Sequence, residues 1–459
     1  MTFMIPQELE PLTACWLAAL ALTLLSGYAL WDGWARQRPL GAVMGLHANI
    51  FILHAIALAA YLLADVDSSD VHFRITSAIA TVVGPLLCGY AIAIYFDFRR
   101  IWRRYPRQTK SPRPGRAATR RAAISTGWLL GLTAFSVIGY LGSLLPLSIS
   151  GAGTIFPVLK ALQYPCLLLA TLEATPRNSS ILVWALSATF SLVTAWYAGW
   201  RSEIIFFIYA LGLGAAIRWP KRLPVLAAAA AALVMVLLPL AQMKKTDYQG
   251  VMDKPLQAVQ SVIQTPLADR ASFIAEFWAV RLNSEREIGF VQSAVDAGLL
   301  ELRGGQTYGE ALLQLIPRVV WPSKPVYNSI YGYTLPRAVG LLSAQDPSTS
   351  WAVNMFAEFI WNFRPNHLIW FVPLIFWALS KLDNYAATLE NSTVRQVYCL
   401  SLFFQFLQAV SIVNLTTFIL WLTLMAKLAD RLTRSDLHRS RAIAIPGGAP
   451  YLPKHLPHA

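Results

Sequence analysis

Charged residues are scarce in this chain. Aspartate, glutamate, lysine and arginine make up 14% of its 459 residues, whereas an ordinary soluble domain has about 25%. Hydrophobic residues make up 56%, and the mean hydropathy is +0.48. The scarcity of charge comes from long apolar runs of the kind that cross membranes. The composition therefore excludes a string of ordinary soluble domains and predicts an all-α, polytopic membrane protein.

Cysteine is also scarce, and several motifs of known chemistry are missing. The four cysteines lie within apolar runs without metal-like spacing: Cys15, Cys88, Cys166 and Cys399. This pattern excludes a disulfide framework. The sequence contains no Walker motif, no CxxC pair and no HExxH motif. We therefore expect no cofactor and no metal. The N-terminal residues lack a basic segment, so we expect the first apolar run to remain as a membrane anchor.

Acidic residues are fewer than basic ones. The chain has 38 lysines and arginines against 24 acidic residues, which gives a net charge of +14. Either nucleic-acid binding or basic cytoplasmic loops of a membrane protein would explain this balance. The stretch from Arg99 to Arg121 contains no acid, and the other basic loops fall on the same side when the spans alternate. The sequence thus predicts an external N-terminus, a cytoplasmic C-terminus and no nucleic-acid partner.

About eleven apolar segments approach the roughly 20 residues that a helix needs to cross the hydrocarbon core. They are Leu12–Leu30, Leu40–Leu63, Ile75–Phe96, Ala123–Leu147, Thr154–Leu172, Ile181–Ala198, Ile204–Ile217, Pro224–Ala241, Phe356–Leu379, Val397–Val410 and Leu415–Ala429. We predict an N-terminal bundle of about eight helices over 1–241, a large outward-facing helical loop over 242–350, C-terminal transmembrane helices over 351–430 and a basic cytoplasmic tail over 431–459.

The large loop is too long for a structureless connection. The stretch from Thr265 to Glu287 has the pattern of one amphipathic helix capped by Thr265, which would pack on the bundle or lie in the membrane interface. Further on, Thr307 and Glu310 fit a capping box. That pattern favours a structural role for Glu310 over a catalytic one.

The segment PRVVWPSKP, residues 317–325, follows this capping box. Its three prolines exclude a regular helix, so Arg318 and Lys324 lie on a stiff turn, and Trp321 suits a membrane interface. Cations held beside a bilayer suit a lipid diphosphate, because arginine binds phosphate oxygens with two donors at once. Interfacial charges without any ligand are the alternative, and these residues alone do not decide between the two.

Polar residues in or beside the apolar segments are candidate functional groups. Asn354, Glu358 and Asn362 follow at steps of four and share one helix face. A carboxylate in apolar surroundings is a candidate general base. The alternative is a polar seam that packs helices together.

Two further groups of polar residues have less specific patterns. Arg201 and Glu203 stand between two spans, which predicts that Arg201 faces a cavity while Glu203 caps the next helix. His47 and His54 lie seven residues apart on one face of the second span. Hydrogen bonds between packed helices are favoured there over a proton relay.

Several segments together resemble the Wzy-type polymerases of oligosaccharide repeat units. They are AGWRSEII after a span, LADRASFI early in the loop, then QTYGEALLQLIPRVVWPSKP, and STSWAVNMFAEFIWNF, which opens the following span. Their order and spacing are similar to that family from Tyr197 to Phe363, and the run from IPR to KP is the most specific. Arg364 departs from the family, which usually has glycine there, and so does Ala357.

The resemblance implies a membrane glycosyltransferase of GT-C-like architecture in the bacterial inner membrane, with its reaction on the periplasmic side. It would transfer a growing glycan from undecaprenyl diphosphate to a new lipid-linked repeat unit. The implied partners are this lipid-linked glycan, membrane lipids, and a chain-length regulator and a flippase of the same pathway. A ligase that transfers finished glycan shares this chemistry, and a transporter or flippase is the alternative of another class.

Within that reaction we assign roles to nine residues. Glu358 would deprotonate the acceptor hydroxyl, while Arg201 and Arg318 would stabilise charge on the diphosphate leaving group. The residues predicted to bind substrate are Arg270, Lys324, Tyr308, Trp321, Asn354 and Asn362.

Overall fold

The structure is a computed structural model of the whole chain. It describes residues 10–36, 38–63, 70–104, 124–144, 155–173, 180–198, 201–281, 284–314, 316, 321–323, 335–339, 354–408 and 412–443. Every regular element in these ranges is a helix. This agrees with the predicted all-α class.

In the first part of the chain, the described residues form nine α-helices. They are α1 (Glu10–Ala35), α2 (Ala42–Leu63), α3 (Asp70–Arg104), α4 (Thr126–Leu144), α5 (Ile155–Ala161), α6 (Gln163–Glu173), α7 (Ser180–Ala198), α8 (Arg201–Arg218) and α9 (Leu223–Thr246), with a 3₁₀ turn at Pro220–Arg222 before α9. The chain turns at Leu162 between α5 and α6. The predicted span Thr154–Leu172 is therefore two short helices in place of one.

Among the residues that the structure describes, six helices follow before the chain returns to apolar segments, and we call them the insertion. They are α10 (Tyr248–Asp253), α11 (Pro255–Gln264), α12 (Leu267–Arg281), α13 (Ser284–Asp296), α14 (Gln306–Gln314) and α15 (Leu335–Ala338). The predicted single helix from Thr265 to Glu287 is wrong, because α12 ends at Arg281 and Glu287 belongs to α13. Thr265 does not cap α12 either, since its hydroxyl donates to the Ser261 carbonyl 3.0 Å away.

The last four helices are α16 (Met355–Asn362), α17 (Leu368–Thr388), α18 (Ser392–Gln408) and α19 (Ile412–Ile443), with a 3₁₀ turn at Pro365–His367. The predicted continuous span Phe356–Leu379 is thus broken after Asn362. Arg364 adopts an extended conformation, with ψ of 151°. The following Pro365 explains this, because a proline disfavours the helical region for the residue before it.

Five helices of the described structure are long and apolar enough to cross a membrane. They are Pro11–Ala35, Thr76–Arg100, Thr126–Ser143, Ile155–Glu173 and Pro224–Lys244, of which Ile155–Glu173 contains the turn at Leu162. Ala42–Leu58 and Ile181–Thr194 are shorter apolar helices. These segments give the chain the character of a helical membrane protein, and each overlaps a predicted span. The predicted number of eleven spans stays a prediction.

Two glycines allow helices to approach each other closely. A Cβ on Gly45 of α2 would lie 2.5 Å from the Phe403 carbonyl oxygen of α18, and one on Gly89 of α3 would lie 2.4 Å from the Leu368 carbonyl oxygen. Small residues at such crossings are typical of membrane helices, which associate through close packing. Because Gly89 lies near the middle of the span Thr76–Arg100, α17 begins at about half the depth of that span.

A buried group of polar residues joins α2, α3 and α17; we call it the Arg38 network. Arg38 binds Asp97 through two nitrogens, at 2.6 and 3.2 Å. His47 contacts the Tyr90 hydroxyl at 2.7 Å and Asp97 at 3.3 Å, so it makes the predicted helix-packing hydrogen bonds. Asp383 of α17 accepts from the first two backbone N–H groups of α2, at 2.8 and 3.4 Å. Arg38 also lies 3.9 Å from Asp383.

Helices α12 and α13 both pack into the bundle. Ile274 of α12 shares a buried cluster with Leu238 of α9, so α12 packs along the apolar surface of that span. Glu285 in the first turn of α13 lies 2.5 Å from Nδ1 of His54. Since His54 stands near the middle of the 22-residue helix α2, α13 starts deep inside the bundle. The sequence had left two alternatives for the stretch from Thr265 to Glu287, packing on the bundle or lying in the membrane interface, and the structure shows packing on the bundle.

The insertion shares its core with the apolar helices around it. Ile288 and Val291 of α13 and Ala311 of α14 belong to the same hydrophobic cluster as Leu46 of α2 and Leu86 of α3. All five are buried. The described part of the insertion is therefore built into the bundle and does not form a separate unit above it.

Candidate functional site

The candidate site is built around the short helix α16, whose eight residues are all buried. The Asn354 side chain caps this helix, because its Oδ1 accepts from the N–H groups of Phe356 and Ala357, both at 2.9 Å. Glu358 lies in the first turn and is 2% exposed. A carboxylate is favoured at this end of a helix, where the backbone N–H groups point outward. The fold thus holds a carboxylate in an apolar interior.

Asn362 lies at the other end of α16 and ties it to α14. Its Oδ1 accepts from the N–H groups of Gly305 and Thr307, at 3.1 and 3.4 Å. Its Nδ2 donates to the Thr307 hydroxyl and to the Glu358 carbonyl, at 2.7 and 2.8 Å. Gly304 and Gly305 form the turn with φ of 56° and 89°, a conformation that favours glycine.

The predicted roles of Asn354 and Asn362 therefore need correction. An amide side chain has two donor hydrogens and two acceptor lone pairs, and Asn362 uses all four within the protein. It has no hydrogen bond left for a sugar. The Asn354 carbonyl oxygen is likewise occupied by the helix cap. These two residues hold the ends of α16, and Glu358 lies between them.

Tyr308 of α14 faces Glu358. Its ring stacks beside Phe363 and Phe371, at centroid distances of 6.0 and 6.3 Å. Burial and the nearby charge of Glu358 raise the pKa of Tyr308 well above its usual value. Its hydroxyl oxygen is buried and has no hydrogen-bond partner within the described part of the chain. The phenol therefore stays protonated and can donate a hydrogen bond to a ligand beside Glu358.

The predicted capping box on α14 is wrong. The helix begins at Gln306, and the Thr307 N–H that Glu310 would cap donates to Asn362 instead. One oxygen of Glu310 is buried without a partner among the described residues. Burial raises the pKa of Glu310, and Arg303 offsets part of that shift. Glu310 is therefore a second unusual carboxyl group, on the same helix as Tyr308.

Two buried acids of α13 were not predicted. Glu285 is fully buried against His54, and Glu287, which is 6% exposed, accepts from the Asn354 N–H at 3.2 Å. In the sequence SEREIG they have the appearance of solvent-exposed charges near a helix end. The two apolar residues that flank this helix face, Ile288 and Val291, are the only local signal of burial.

The predicted cations are described only in part. Arg270 lies in α12, and its Nε is buried without a hydrogen-bond partner in the described structure. Arg201 is described only as the first residue of α8, and Trp321 lies half-buried in a short described segment. Arg318 and Lys324 lie outside the described residues. Whether these cations meet Glu358 and Tyr308 stays a prediction.

Glu203 lies in the first turn of α8. Its carboxylate accepts from Lys160 at 2.6 Å, from Gln163 at 3.1 Å and from the Tyr164 hydroxyl. These three donors lie around the turn between α5 and α6. Glu203 therefore fixes the first turn of α8, where Arg201 begins the helix.

Within the described ranges, no group of three or more histidine, cysteine, aspartate or glutamate side chains is arranged to hold a metal ion. No family model, no curated protein and no solved structure matches this chain. The residues of the site therefore carry the functional argument, together with the resemblance noted in the sequence.

Proposed function

We propose that this chain is a membrane glycosyltransferase that polymerises oligosaccharide repeat units carried on undecaprenyl diphosphate. The observation that carries the proposal is that Glu358 and Tyr308 lie near each other. A carboxylate that is 2% exposed lies near a protonated phenol whose hydroxyl has no hydrogen-bond partner among the described residues, and both are set into an apolar helical bundle. This arrangement is suited to a polar acceptor that arrives attached to a lipid.

In the proposed reaction Glu358 takes the proton of an acceptor hydroxyl as general base. The acceptor oxygen forms a bond to the anomeric carbon of the donor glycan. The bond from that carbon to the diphosphate oxygen breaks, and its electron pair leaves with undecaprenyl diphosphate. Tyr308 donates a hydrogen bond that orients the acceptor sugar. No nucleotide sugar is required, because the diphosphate linkage already activates the donor.

The proposal also needs cations for the leaving group. Negative charge grows on the diphosphate in the transition state, and preorganised cations stabilise it. Arg270 is suited to this because no acidic side chain of the described structure lies within ion-pair distance of it. We assign the same role to Arg201, Arg318 and Lys324. Periplasmic orientation of this end of the bundle follows from the loop charges and belongs to the same proposal.

A transporter or flippase is the second candidate function. The observation that favours it is the set of buried ionisable groups on α2, α13 and α16: His54, Glu285, Glu287 and Glu358. Ionisable residues inside a membrane bundle often belong to proton relays of transport proteins. A transporter would move a lipid-linked or anionic solute without forming a glycosidic bond.

The test is the length of glycan chains in a strain that lacks this protein. Complementation with the wild-type chain should convert a single repeat unit into a ladder of sizes. Glu358→Gln should leave the single unit, because loss of a general base costs on the order of 10² to 10⁴ in rate. Glu301→Gln is the matched control, since Glu301 is exposed and belongs to the same insertion. Equal amounts of each variant in the membrane are verified by immunoblot.

Each outcome has a distinct meaning. A full ladder with Glu358→Gln would contradict the assigned base. Long glycan left on its lipid carrier in the deletion strain would indicate a ligase. A glycan profile that does not depend on this chain would contradict the polymerase and leave transport as the explanation.

A further inference from the structure

Helix α13 makes a buried contact far from the segments that suggested a function. Nδ1 of His54 and Oε1 of Glu285 are 2.5 Å apart, and their side chains are 3% and 0% exposed. The two residues lie 231 positions apart in the chain. The contact joins the middle of α2 to the first turn of α13.

Helix α13 and the hydrogen bonds of Glu287 and Asn354 connect this contact to Glu358. Two residues after Glu285 on α13, the Glu287 carboxylate accepts from the Asn354 N–H at 3.2 Å. The Asn354 side chain caps α16, and the backbone carbonyl oxygen of Asn354 accepts from the Glu358 N–H at 3.0 Å. The position of α13 against α2 therefore sets the position of α16, and with it that of the Glu358 carboxylate.

The chemistry of this contact is better suited to fixing the positions of two helices than to stabilising the fold. Removing an imidazole and a carboxylate from water is unfavourable, and apolar residues of similar size often stabilise a protein as well or better. A charge-assisted hydrogen bond is short and directional, however, whereas apolar contacts tolerate sliding. Such a buried polar pair can fix the register of two helices.

We propose that His54 and Glu285 are a positioning pair, which fixes the register of α13 on α2 and thereby holds Glu358 at its reacting position. This inference rests on the proposed function, in which Glu358 is the base. His54 and Glu285 themselves do not touch the substrate. They act through Glu287, Asn354 and α16.

The experiment compares three purified proteins in detergent: wild type, the double variant His54→Leu with Glu285→Leu, and the control Asn49→Leu. Asn49 is buried on the same helix α2 and donates to the Leu407 carbonyl at 2.7 Å, outside the chain of contacts to Glu358. Three quantities are measured: the apparent Tm, the amide hydrogen exchange of the peptide that covers α16, and kcat and KM with a lipid-linked repeat unit.

The double variant should fold with an apparent Tm equal to or above that of wild type. Exchange at α16 should become at least tenfold faster, while α17 to α19 stay protected. Its kcat should fall by about tenfold to a hundredfold, because a shift of about 1 Å at a reacting group has effects of this size, and its KM should change little. Asn49→Leu should lower the apparent Tm and leave both kcat and exchange at α16 unchanged.

Unchanged exchange at α16 in a folded double variant would overturn the proposal, whatever the activity. If the double variant fails to fold, Glu285→Gln decides the question, since it keeps the shape and loses only the charge. It should show the same effects at smaller size, and wild-type exchange and kcat would contradict the proposal. A wild-type protein without polymerase activity would refute the proposed function, whereas the exchange data would still decide the positioning role.

Discussion

At the scale of single residues, the surroundings of each carboxyl group decide its chemistry. Glu203 accepts three hydrogen bonds, and Glu287 accepts one from a backbone N–H. Glu310 has a buried oxygen without such a donor among the described residues, and burial raises its pKa. Acids that look alike in the sequence therefore behave differently in the fold.

Glu310 gives a prediction about stability and pH. Its pKa in the folded protein lies above the usual 4.5, so the fold favours the protonated form. The stability that this form contributes is complete below pH 4.5 and is lost as the pH rises through the folded pKa. Glu310→Gln should therefore stabilise the protein at pH 7, by less than about 1 kcal/mol because the side chain is only half-buried. The gain should vanish at acidic pH.

Thermal unfolding of the purified protein between pH 4 and pH 8 would measure this effect. Glu301→Gln is the control, because Glu301 is exposed. This variant should have the apparent Tm of wild type at every pH. A stabilisation by Glu310→Gln that is the same at every pH would contradict the proposed cause.

The sequence allowed the buried carboxylate Glu358 to be predicted, but not its neighbours. Glu358 stands alone in an apolar segment, so its burial follows from the pattern around it. Glu285 and Glu287 alternate with arginine and serine in SERE, which is equally typical of a solvent-exposed helix end. Their burial depends on His54 and Asn354, which are distant in the chain. Local pattern contains no information about such contacts.

At the scale of helices, the length of the apolar runs predicted where helices lie better than it predicted where they are interrupted. The predicted span Phe356–Leu379 became α16 and α17 because Pro365 cannot continue a helix, and the residue pair Arg364–Pro365 was a visible signal of that break. The capping box at Thr307 failed for another reason. Asn362, 55 residues away, competes for the same N–H group.

The close crossing of α3 and α17 gives a prediction at this scale. Gly89→Ala would place a Cβ 2.4 Å from the Leu368 carbonyl oxygen, which is backbone and cannot rotate away. The two helices must separate, so we expect a loss of about 1 to 3 kcal/mol in the free energy of unfolding. Size-exclusion chromatography after heating would measure it as a lower apparent Tm.

Gly84→Ala is the matched control on the same helix, because nothing lies within 4 Å of a Cβ at that position. It should be neutral or slightly stabilising, since alanine favours helix over glycine by about 1 kcal/mol. Equal effects of the two substitutions would mean that glycine flexibility, and not the close approach, explains Gly89.

At the scale of the whole molecule, polar contacts between distant helices hold the bundle together. The Arg38 network joins α2, α3 and α17, and the His54–Glu285 contact joins α2 to α13. Composition and loop charge predicted a helical membrane protein. They placed the insertion outside the bundle, however, because its helices are too short and too polar for spans. Only the contacts with α2, α9 and α16 show that it enters.

Loss of Arg38 should destabilise the whole bundle. Arg38→Gln would leave Asp97, whose side chain is 6% exposed, without its strongest partner. An uncompensated buried charge costs about 3 to 5 kcal/mol. We expect a much lower yield of monodisperse protein and a lower apparent Tm in detergent.

Arg99→Gln is the comparison for this substitution, because Arg99 lies two residues after Asp97 on the same helix α3 and is exposed. It should leave both the yield and the apparent Tm unchanged. An Arg38→Gln protein as stable as wild type would show that His47 alone compensates Asp97.

The cap that Asp383 places on α2 has a consequence for synthesis. Asp383 lies 341 residues after Ala42 in the chain, and its carboxylate accepts a hydrogen bond from the Ala42 backbone N–H group. At about 5 to 20 residues per second, a ribosome needs roughly 20 to 70 seconds to make that stretch. During this time the first turn of α2 must find other partners, such as water or lipid head groups. The early helices therefore remain in a provisional arrangement in the membrane during this time. The nascent chain reaches its final fold only near the end of translation.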